Sequence, residues 1–368
     1  MNETFGAGPV AQGDVMPSPS EASWEIVGHE AVIEGLRRSL RQQRVPHAHL
    51  FAGPPSVGKT AVALAFARAL CCQAAERADS SVPCGVCLSC RKIGRGVHPD
   101  VALFDLAGQA AHTDSKGGKN TTLTIDTIRR VTAATVLKPL EAPRRIVIVD
   151  DAETMQGVAQ EALLKTLEEP PSSVILILLA DEAETLLPTI RSRCRVTLFS
   201  RVATNAITRA AIVAGQATTK ADEIAALSYG RPGWAIRAAA DPKLIAQQVA
   251  TIERGLTWME SGGYDRLVTA VRLGDAFQKR RAETLRDLET LLRLWRDVLL
   301  LRVDLDRFVT HPGMLQRLSV LAHGCDVSNV RRAVQATQRC MNDLQMNVRP
   351  RLAFEAMVLQ WPNFPCQA

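Results

Sequence analysis

Residues 53–60 read Gly53-Pro54-Pro55-Ser56-Val57-Gly58-Lys59-Thr60 and match the pattern G-x-x-x-x-G-K-[ST] at every position. In such a loop the glycines let backbone N–H groups surround a phosphate, the lysine reaches β- and γ-phosphate oxygens, and the threonine hydroxyl ligates Mg²⁺. An apolar strand is predicted before the loop, at 47–52, and an Ala- and Leu-rich helix after it, at 61–70. We therefore predict a nucleotide-binding phosphate loop formed by Gly53, Pro54, Ser56, Val57, Gly58, Lys59 and Thr60.

Beyond the phosphate loop, short apolar segments alternate with helical ones through the first half of the chain. Further strands are predicted at 100–105, 145–150, 173–180 and 196–199, with an amphipathic helix at 159–168 between two of them. Strands that are apolar throughout and joined through helices are typical of a parallel sheet covered on both faces. The pattern predicts an α/β fold with a parallel five-stranded sheet.

The length of 368 residues exceeds what one hydrophobic core usually serves, so more than one domain is expected. Apolar residues make up 46% of the chain and charged residues 22%, which excludes a wholly disordered protein. We predict an α/β domain at 23–200, a small helical domain at 201–243 and a second helical domain at 244–368. Residues 1–22, rich in Gly, Pro and Ser, are predicted to form a disordered leader.

The charge balance and the apolar runs bear on partners and location. Lys and Arg total 44 against 38 Asp and Glu, and this net charge of +6 permits contact with nucleic acid without requiring it. No apolar run approaches the ~20 residues of a membrane helix, and residues 1–22 lack the pattern of a signal peptide. We expect a soluble, cytoplasmic protein without membrane association, whose nine cysteines are thiols or metal ligands.

An acidic pair, Asp150-Asp151, ends the predicted strand at 145–150. An acid at the tip of a buried strand beside a phosphate loop holds Mg²⁺ through water, so we assign Asp150 and Thr60 to the magnesium ion of a bound ATP. A glutamate at the next position would orient the attacking water. Asp151 is one methylene shorter, and a displacement of roughly 1 Å can lower a rate by orders of magnitude. The sequence thus predicts nucleotide binding without fast hydrolysis.

A C-x-x-C-x-x-C motif at 84–90 follows the adjacent pair Cys71-Cys72. Four thiolates close a tetrahedral zinc site that leaves no open position, so such a site is structural rather than catalytic. Cys72 is favoured over Cys71, because Cys71 lies one residue further into the predicted helix. Cys71 and His98 remain alternatives. We predict a zinc module at about 71–98, with the ligands Cys72, Cys84, Cys87 and Cys90.

The order of these motifs resembles that of bacterial clamp-loader subunits of the AAA+ superfamily. The resemblance covers roughly residues 24–240 and implies an AAA+ domain with an inserted zinc module, a helical lid domain and a C-terminal helical collar that mediates oligomerisation. It rests on WEIVGHE (24–30), GPPSVGKT (53–60), CGVCLSC (84–90), VIVDDAE (147–153), EALLKTLEEPP (161–171) and RSRC (191–194).

The resemblance also implies partners and a catalytic role. In such assemblies nucleotide lies between neighbouring subunits, and the arginine of Ser-Arg-Cys reaches the γ-phosphate bound to the next subunit. Arg193 is accordingly expected to act as an arginine finger in trans. Without the resemblance, Ser192-Arg193-Cys194 is more simply a solvated arginine at a helix end. The implied partners are gamma/tau motor subunits and a delta subunit and, through the complex, the sliding clamp and primed DNA.

Two kinds of clamp-loader subunit carry these motifs, the ATP-hydrolysing gamma/tau motor and the delta-prime subunit. Asp151 replaces the motor's glutamate, Gly233 stands where the motor has a sensor arginine, and the strand at 173–180 ends without the motor's sensor threonines. These departures favour a delta-prime type subunit of the DNA polymerase III holoenzyme with little ATPase of its own. The alternatives are a motor-type ATPase and a zinc scaffold whose phosphate loop is vestigial.

Overall fold

A computed structural model describes residues 24–74, 79–112, 121–346 and 348–362. The predicted disordered leader at 1–22 lies outside the described residues. The chain divides into two compact units, Met1–Arg237 and Ala238–Ala368. The three domain boundaries proposed from the sequence stay predictions.

The first unit contains a five-stranded, fully parallel sheet, which confirms the predicted fold class. The strand order is β2-β3-β4-β1-β5, and every residue of β1, β3 and β4 is buried. Burial on both faces explains why these strands, apart from His49 and Arg145, are apolar instead of alternating with polar residues. The strands are β1 (Ala48–Ala52), β2 (Val101–Phe104), β3 (Arg145–Val149), β4 (Val174–Ala180) and β5 (Arg195–Leu198).

Ten helices begin within the described part of the first unit, and the last of them contains the division between the units. They are α1 (Glu30–Arg41), α2 (Lys59–Cys71), α3 (Leu88–Gly94), α4 (Leu106–His112), α5 (Ile125–Val136), α6 (Gly157–Glu168), α7 (Pro188–Arg191), α8 (Thr204–Val213), α9 (Thr218–Ser228) and α10 (Pro232–Ala240).

Alternate residues of each central strand enter two separate hydrophobic cores. On one face, Leu178 of β4 packs in a cluster that includes Ile128 of α5 and Leu163 of α6. On the other face, Ile177 belongs to a cluster that includes Phe66 of α2. The sheet is therefore the middle layer between helices, and its rigidity holds the loops at the strand ends.

The strand register brings three loop residues to one edge of the sheet. Ala52, the last residue of β1, lies opposite Ala180, the last residue of β4. Strand β4 also pairs with β3. Because parallel strands all end at the same edge, ligand sites of such sheets form there. The residues that immediately follow β1, β3 and β4 are Gly53, Asp150 and Asp181.

The regular structure described for the second unit is helical, which confirms the predicted helical C-terminal region. The backbone of Arg280 leaves the helical conformation, with φ of −127° and ψ of 28°, so α12 consists of two helical segments. Trp361 contacts Trp258 and Trp295 with ring centroids 5.0 and 5.4 Å apart, and these aromatic contacts form part of the core. The helices are α11 (Pro242–Glu260), α12 (Gly263–Arg302), α13 (Leu315–His323), α14 (Val327–Gln345) and α15 (Pro350–Val358).

Candidate nucleotide-binding and metal sites

Two glycines shape the phosphate loop between β1 and α2. A Cβ on Gly53 would lie 2.3 Å from the carbonyl oxygen of Phe199, so a larger residue there would displace the backbone. Gly58 adopts a left-handed φ of 112° and directly precedes α2, a helix of 13 residues. The loop therefore leads into a helix N-terminus, where free N–H groups and the helix dipole favour a bound phosphate.

Lys59 is only 7% exposed, and its ammonium group is fully engaged. Its Nζ donates to the carbonyl oxygen of Gly53, to that of Pro54 at 3.4 Å and to Asp181 Oδ1 at 2.7 Å. An ammonium has three N–H donors, and three acceptors surround this one. The sequence analysis did not predict the contact between Asp181 and Lys59.

The two predicted magnesium ligands lie together. The hydroxyl of Thr60 donates to Asp150 Oδ2 at 2.8 Å, which joins the start of α2 to the end of β3. Two oxygen ligands at this spacing suit a magnesium ion that keeps several of its waters and also binds substrate phosphates. The structure thus brings Lys59, Thr60 and Asp150 to the same sheet edge, as the sequence predicted.

The carboxylate of Asp151 has a different partner. It accepts the backbone N–H of Leu106 at 3.3 Å, at the start of α4. Burial raises the pKa of Asp151, and the nearby carboxylates of Asp150 and Asp181 act in the same direction. This residue is therefore tied to the neighbouring strand connection rather than to Thr60.

Glu153 adds a half-buried carboxyl group to this edge of the sheet, and sequence reasoning missed it. Its Oε2 accepts the backbone N–H of Asp181 at 3.2 Å. Burial, together with the charges of Asp181 and Asp151, raises the pKa of Glu153 to about 7. Lys59 thus lies among several acidic side chains, and the negative charges of these side chains repel a bound phosphate.

The start of α10 packs directly on the phosphate loop. The N–H of Gly233 donates to the carbonyl oxygen of Ser56 at 2.9 Å, and a Cβ on Gly233 would lie 3.0 Å from that oxygen. One helical turn later, Arg237 donates to the Ser56 hydroxyl at 2.9 Å. Sequence reasoning missed Arg237, because only the position of Gly233 matched a known motif element.

The four cysteines assigned to zinc form a compact cluster, called here the cysteine cluster, in which all sulfur atoms lie within 4.8 Å of one another. The Cys72–Cys87 and Cys84–Cys90 sulfur distances are 3.9 and 4.0 Å. A tetrahedron with Zn–S bonds of about 2.3 Å has sulfur atoms about 3.8 Å apart. The donor set and its spacing therefore fit zinc.

Backbone N–H groups donate to three of the four sulfur atoms, although burial raises the pKa of Cys72 and Cys90. The amides of Cys84, Cys87 and Cys90 donate to the sulfurs of Cys72, Cys84 and Cys87 at 3.5, 3.3 and 3.5 Å. Burial acts to raise the pKa of Cys87, but these and neighbouring hydrogen bonds lower it to about 6. Thiolates are the form of cysteine that binds metals.

The two alternative zinc ligands lie elsewhere. Cys71 is buried in the hydrophobic core with Phe66, and burial raises the pKa of its thiol to about 12. His98 accepts the N–H of Asp100 at Nδ1 (3.1 Å), and its Nε2 lies 3.4 Å from the Ser89 hydroxyl. Both ring nitrogens of His98 thus have other partners, and Cys72 is the upstream thiol that joins the cluster.

Arg193 lies just after α7, with its side chain 35% exposed. Its guanidinium donates to Glu168 Oε1 at 2.7 Å and to the carbonyl oxygen of Thr189 at 2.9 Å. The guanidinium also donates to the hydroxyl of Ser192 at 3.5 Å. These contacts hold Arg193 at the exposed ends of α6 and α7.

In the described part of the chain, no helix combines the length and the apolar character that crossing a membrane requires.

Comparison with known proteins finds similarity to DNA polymerase III subunits within the first unit. Residues 28–203 match the family described as DNA polymerase III, delta subunit. Subunit tau of DNA polymerase III from Bacillus subtilis is 35% identical over 183 residues, which are 50% of this chain and 30% of tau. Subunit delta' from Pseudomonas aeruginosa is 35% identical over 148 residues, which are 40% of this chain and 41% of delta'.

A solved structure of a DNA polymerase III gamma subunit-related protein from Thermotoga maritima aligns with 89% of this chain and 97% of its own, at 18% identity and a TM-score of 0.37. The chain spans less than half the length of the two curated relatives named above. Matches to both tau and delta' leave the type of subunit open. Residues 28–203, just under half of the chain, are therefore similar to subunits of DNA polymerase III.

Proposed function

We propose that this chain is a delta-prime type subunit of the clamp loader. It supports ATP-dependent loading of the sliding clamp onto primed DNA, in a cytoplasmic hetero-oligomer with gamma/tau motor subunits and a delta subunit. In this complex it supplies Arg193 in trans to the nucleotide of a neighbouring motor subunit. The cysteine cluster holds a structural zinc ion, and MgATP is the candidate ligand of Lys59, Thr60 and Asp150.

The observation that carries this proposal is the contact between Gly233 and the phosphate loop. At this position the motor resembled by the sequence has an arginine that senses nucleotide. Here even a Cβ would lie 3.0 Å from the Ser56 carbonyl oxygen, so any side chain at this position would push α10 and the loop slightly apart. The bond between Asp151 and Leu106 supports the same conclusion, because it ties one oxygen of this shorter carboxylate to the start of α4.

Specific observations favour each alternative. The intact contact between Thr60 and Asp150 at 2.8 Å favours a motor-type ATPase, which needs both groups for MgATP. The engagement of Lys59 with Asp181 favours a zinc scaffold whose loop binds no nucleotide. ATPase measurements separate the motor type from the other two, and equilibrium nucleotide binding separates the scaffold from the delta-prime type.

Replacing Lys59 by alanine tests the assignment directly. The purified chain is expected to show negligible ATPase with or without this change, because Asp151 and Gly233 do not supply the hydrolytic groups. A reconstituted complex carrying Lys59→Ala should assemble normally and keep its ATPase rate within about twofold, since the motor subunits hydrolyse the nucleotide.

The positive control is the same change in the phosphate loop of the motor subunit, which should abolish the ATPase of the complex. Loss of ATPase on Lys59→Ala in this chain, with assembly intact, would establish the motor-type alternative instead.

A further inference from the structure

The ion pair between Lys59 and Asp181 lies in the phosphate loop itself. The N–H of Gly53 donates to the Ala180 carbonyl oxygen at 3.1 Å, so the first residue of the loop is bonded to the last residue of β4. Asp181 is the next residue, and its carboxylate therefore emerges beside the loop. The 2.7 Å contact with Lys59 Nζ follows from the pairing of β1 with β4.

A phosphate-loop lysine ordinarily bridges β- and γ-phosphate oxygens. Here the N–H donors of Lys59 already meet Gly53, Pro54 and Asp181. A triphosphate can gain its usual two contacts only if Lys59 releases two of these three partners. A diphosphate needs one contact fewer, so Lys59 can hold the β-phosphate and keep Asp181. The carboxylate of Asp181 then gives Lys59 the negative charge that a γ-phosphate would otherwise supply.

The charges nearby reinforce this difference. A γ-phosphate oxygen and Asp181 bonded to one ammonium would lie about 4–5 Å apart, where like charges repel strongly in a partly buried site. The backbone N–H of Asp181 is bonded to Glu153, which fixes the main chain from which the carboxylate projects. Its side chain is 42% exposed and Lys59 only 7%, so water reaches the acid more readily than the base.

We propose that Asp181 is a specificity-determining residue of the phosphate loop: it takes the place of a γ-phosphate on Lys59, so that the loop selects a nucleoside diphosphate over a triphosphate. This inference rests on the proposed nucleotide site and names its ligand class. In the clamp loader such a subunit holds diphosphate as a stable component and leaves nucleotide turnover to the motor subunits.

The test is equilibrium binding of MgADP and of a non-hydrolysable MgATP analogue to the purified full-length chain. The unchanged chain should bind the diphosphate about tenfold more tightly or better. Asp181→Asn should raise affinity for the triphosphate by roughly tenfold and change that for the diphosphate by less than about threefold, which removes the preference. The matched control is Glu182→Gln, the same loss of charge at the exposed neighbouring residue, which should behave as the unchanged chain.

Equal affinity of the unchanged chain for both nucleotides, or a preference that survives Asp181→Asn, overturns the inference. If neither nucleotide binds to the unchanged chain or to the Asp181→Asn chain, the inference is overturned, and so is the proposal that the loop binds a nucleotide. The proposed clamp-loader role is measured separately, through Arg193 in the assembled complex, so the two failures are distinguishable. Thermal unfolding of each variant shows whether the loop is still folded.

Discussion

A reconstituted complex that carries Arg193→Ala in this chain should assemble normally but lose ATP hydrolysis at the site that Arg193 serves. An arginine finger neutralises charge in the transition state of phosphoryl transfer, and its loss lowers the rate at its site by about 10³-fold or more. Total ATPase should fall only in part, because other sites in the complex remain. Clamp loading should fall further, since it depends on the sites acting together.

The position of Arg193 in the structure suits this role. Its partner Glu168 is 49% exposed, and surface ion pairs of this kind contribute about 0–1 kcal/mol, so Arg193 can exchange the carboxylate for a phosphate at little energetic cost. The planar guanidinium also presents paired donors that the ammonium of lysine does not reproduce. Arg193→Lys should therefore recover only part of the loss.

The matched control is Arg195→Ala, which removes an exposed arginine two residues later, on β5. It should leave assembly, zinc content and loading unchanged. The measurement is clamp loading by the reconstituted complex with only this chain altered. If Arg193→Ala loads at the unaltered rate, Ser192-Arg193-Cys194 is only a helix end and the proposed role in trans is wrong.

The second large effect is expected from the cysteine cluster. Elemental analysis of the purified chain should find about one zinc per chain, and Cys87→Ser should remove most of it. Zinc binding at four cysteines is coupled to folding, and structural sites contribute on the order of 10 kcal/mol in small zinc domains. Loss of the metal should therefore unfold the module at about 71–98 and lower the thermal stability of the chain.

The adjacent Cys71 offers the matched control. It belongs to the hydrophobic core rather than to the cluster, so Cys71→Ala should keep one zinc per chain and lose only a modest amount of packing energy. A chain that is fully folded and free of metal when isolated without chelators would show that the four thiols do not form a zinc site. Hydrogen exchange over the module reports the local unfolding directly.

Local spacing in the sequence was sufficient for the sheet and for much of the candidate site. The pattern at 53–60 predicts the loop because its glycines, lysine and threonine act within one turn of backbone. The apolar runs predict the strands because the three central ones are buried on both faces and are almost entirely apolar. The motif at 84–90 likewise places three thiols together through short-range geometry.

Contacts between distant segments were decided only by the tertiary structure. Lys59 meets Asp181 because β1 pairs with β4, and Ser56 meets Gly233 and Arg237 because α10 packs on the loop. The choice of Cys72 over Cys71 depends on how α2 ends against the core. Strand register and helix packing are set by the sum of many weak contacts across the chain, so no local pattern encodes them.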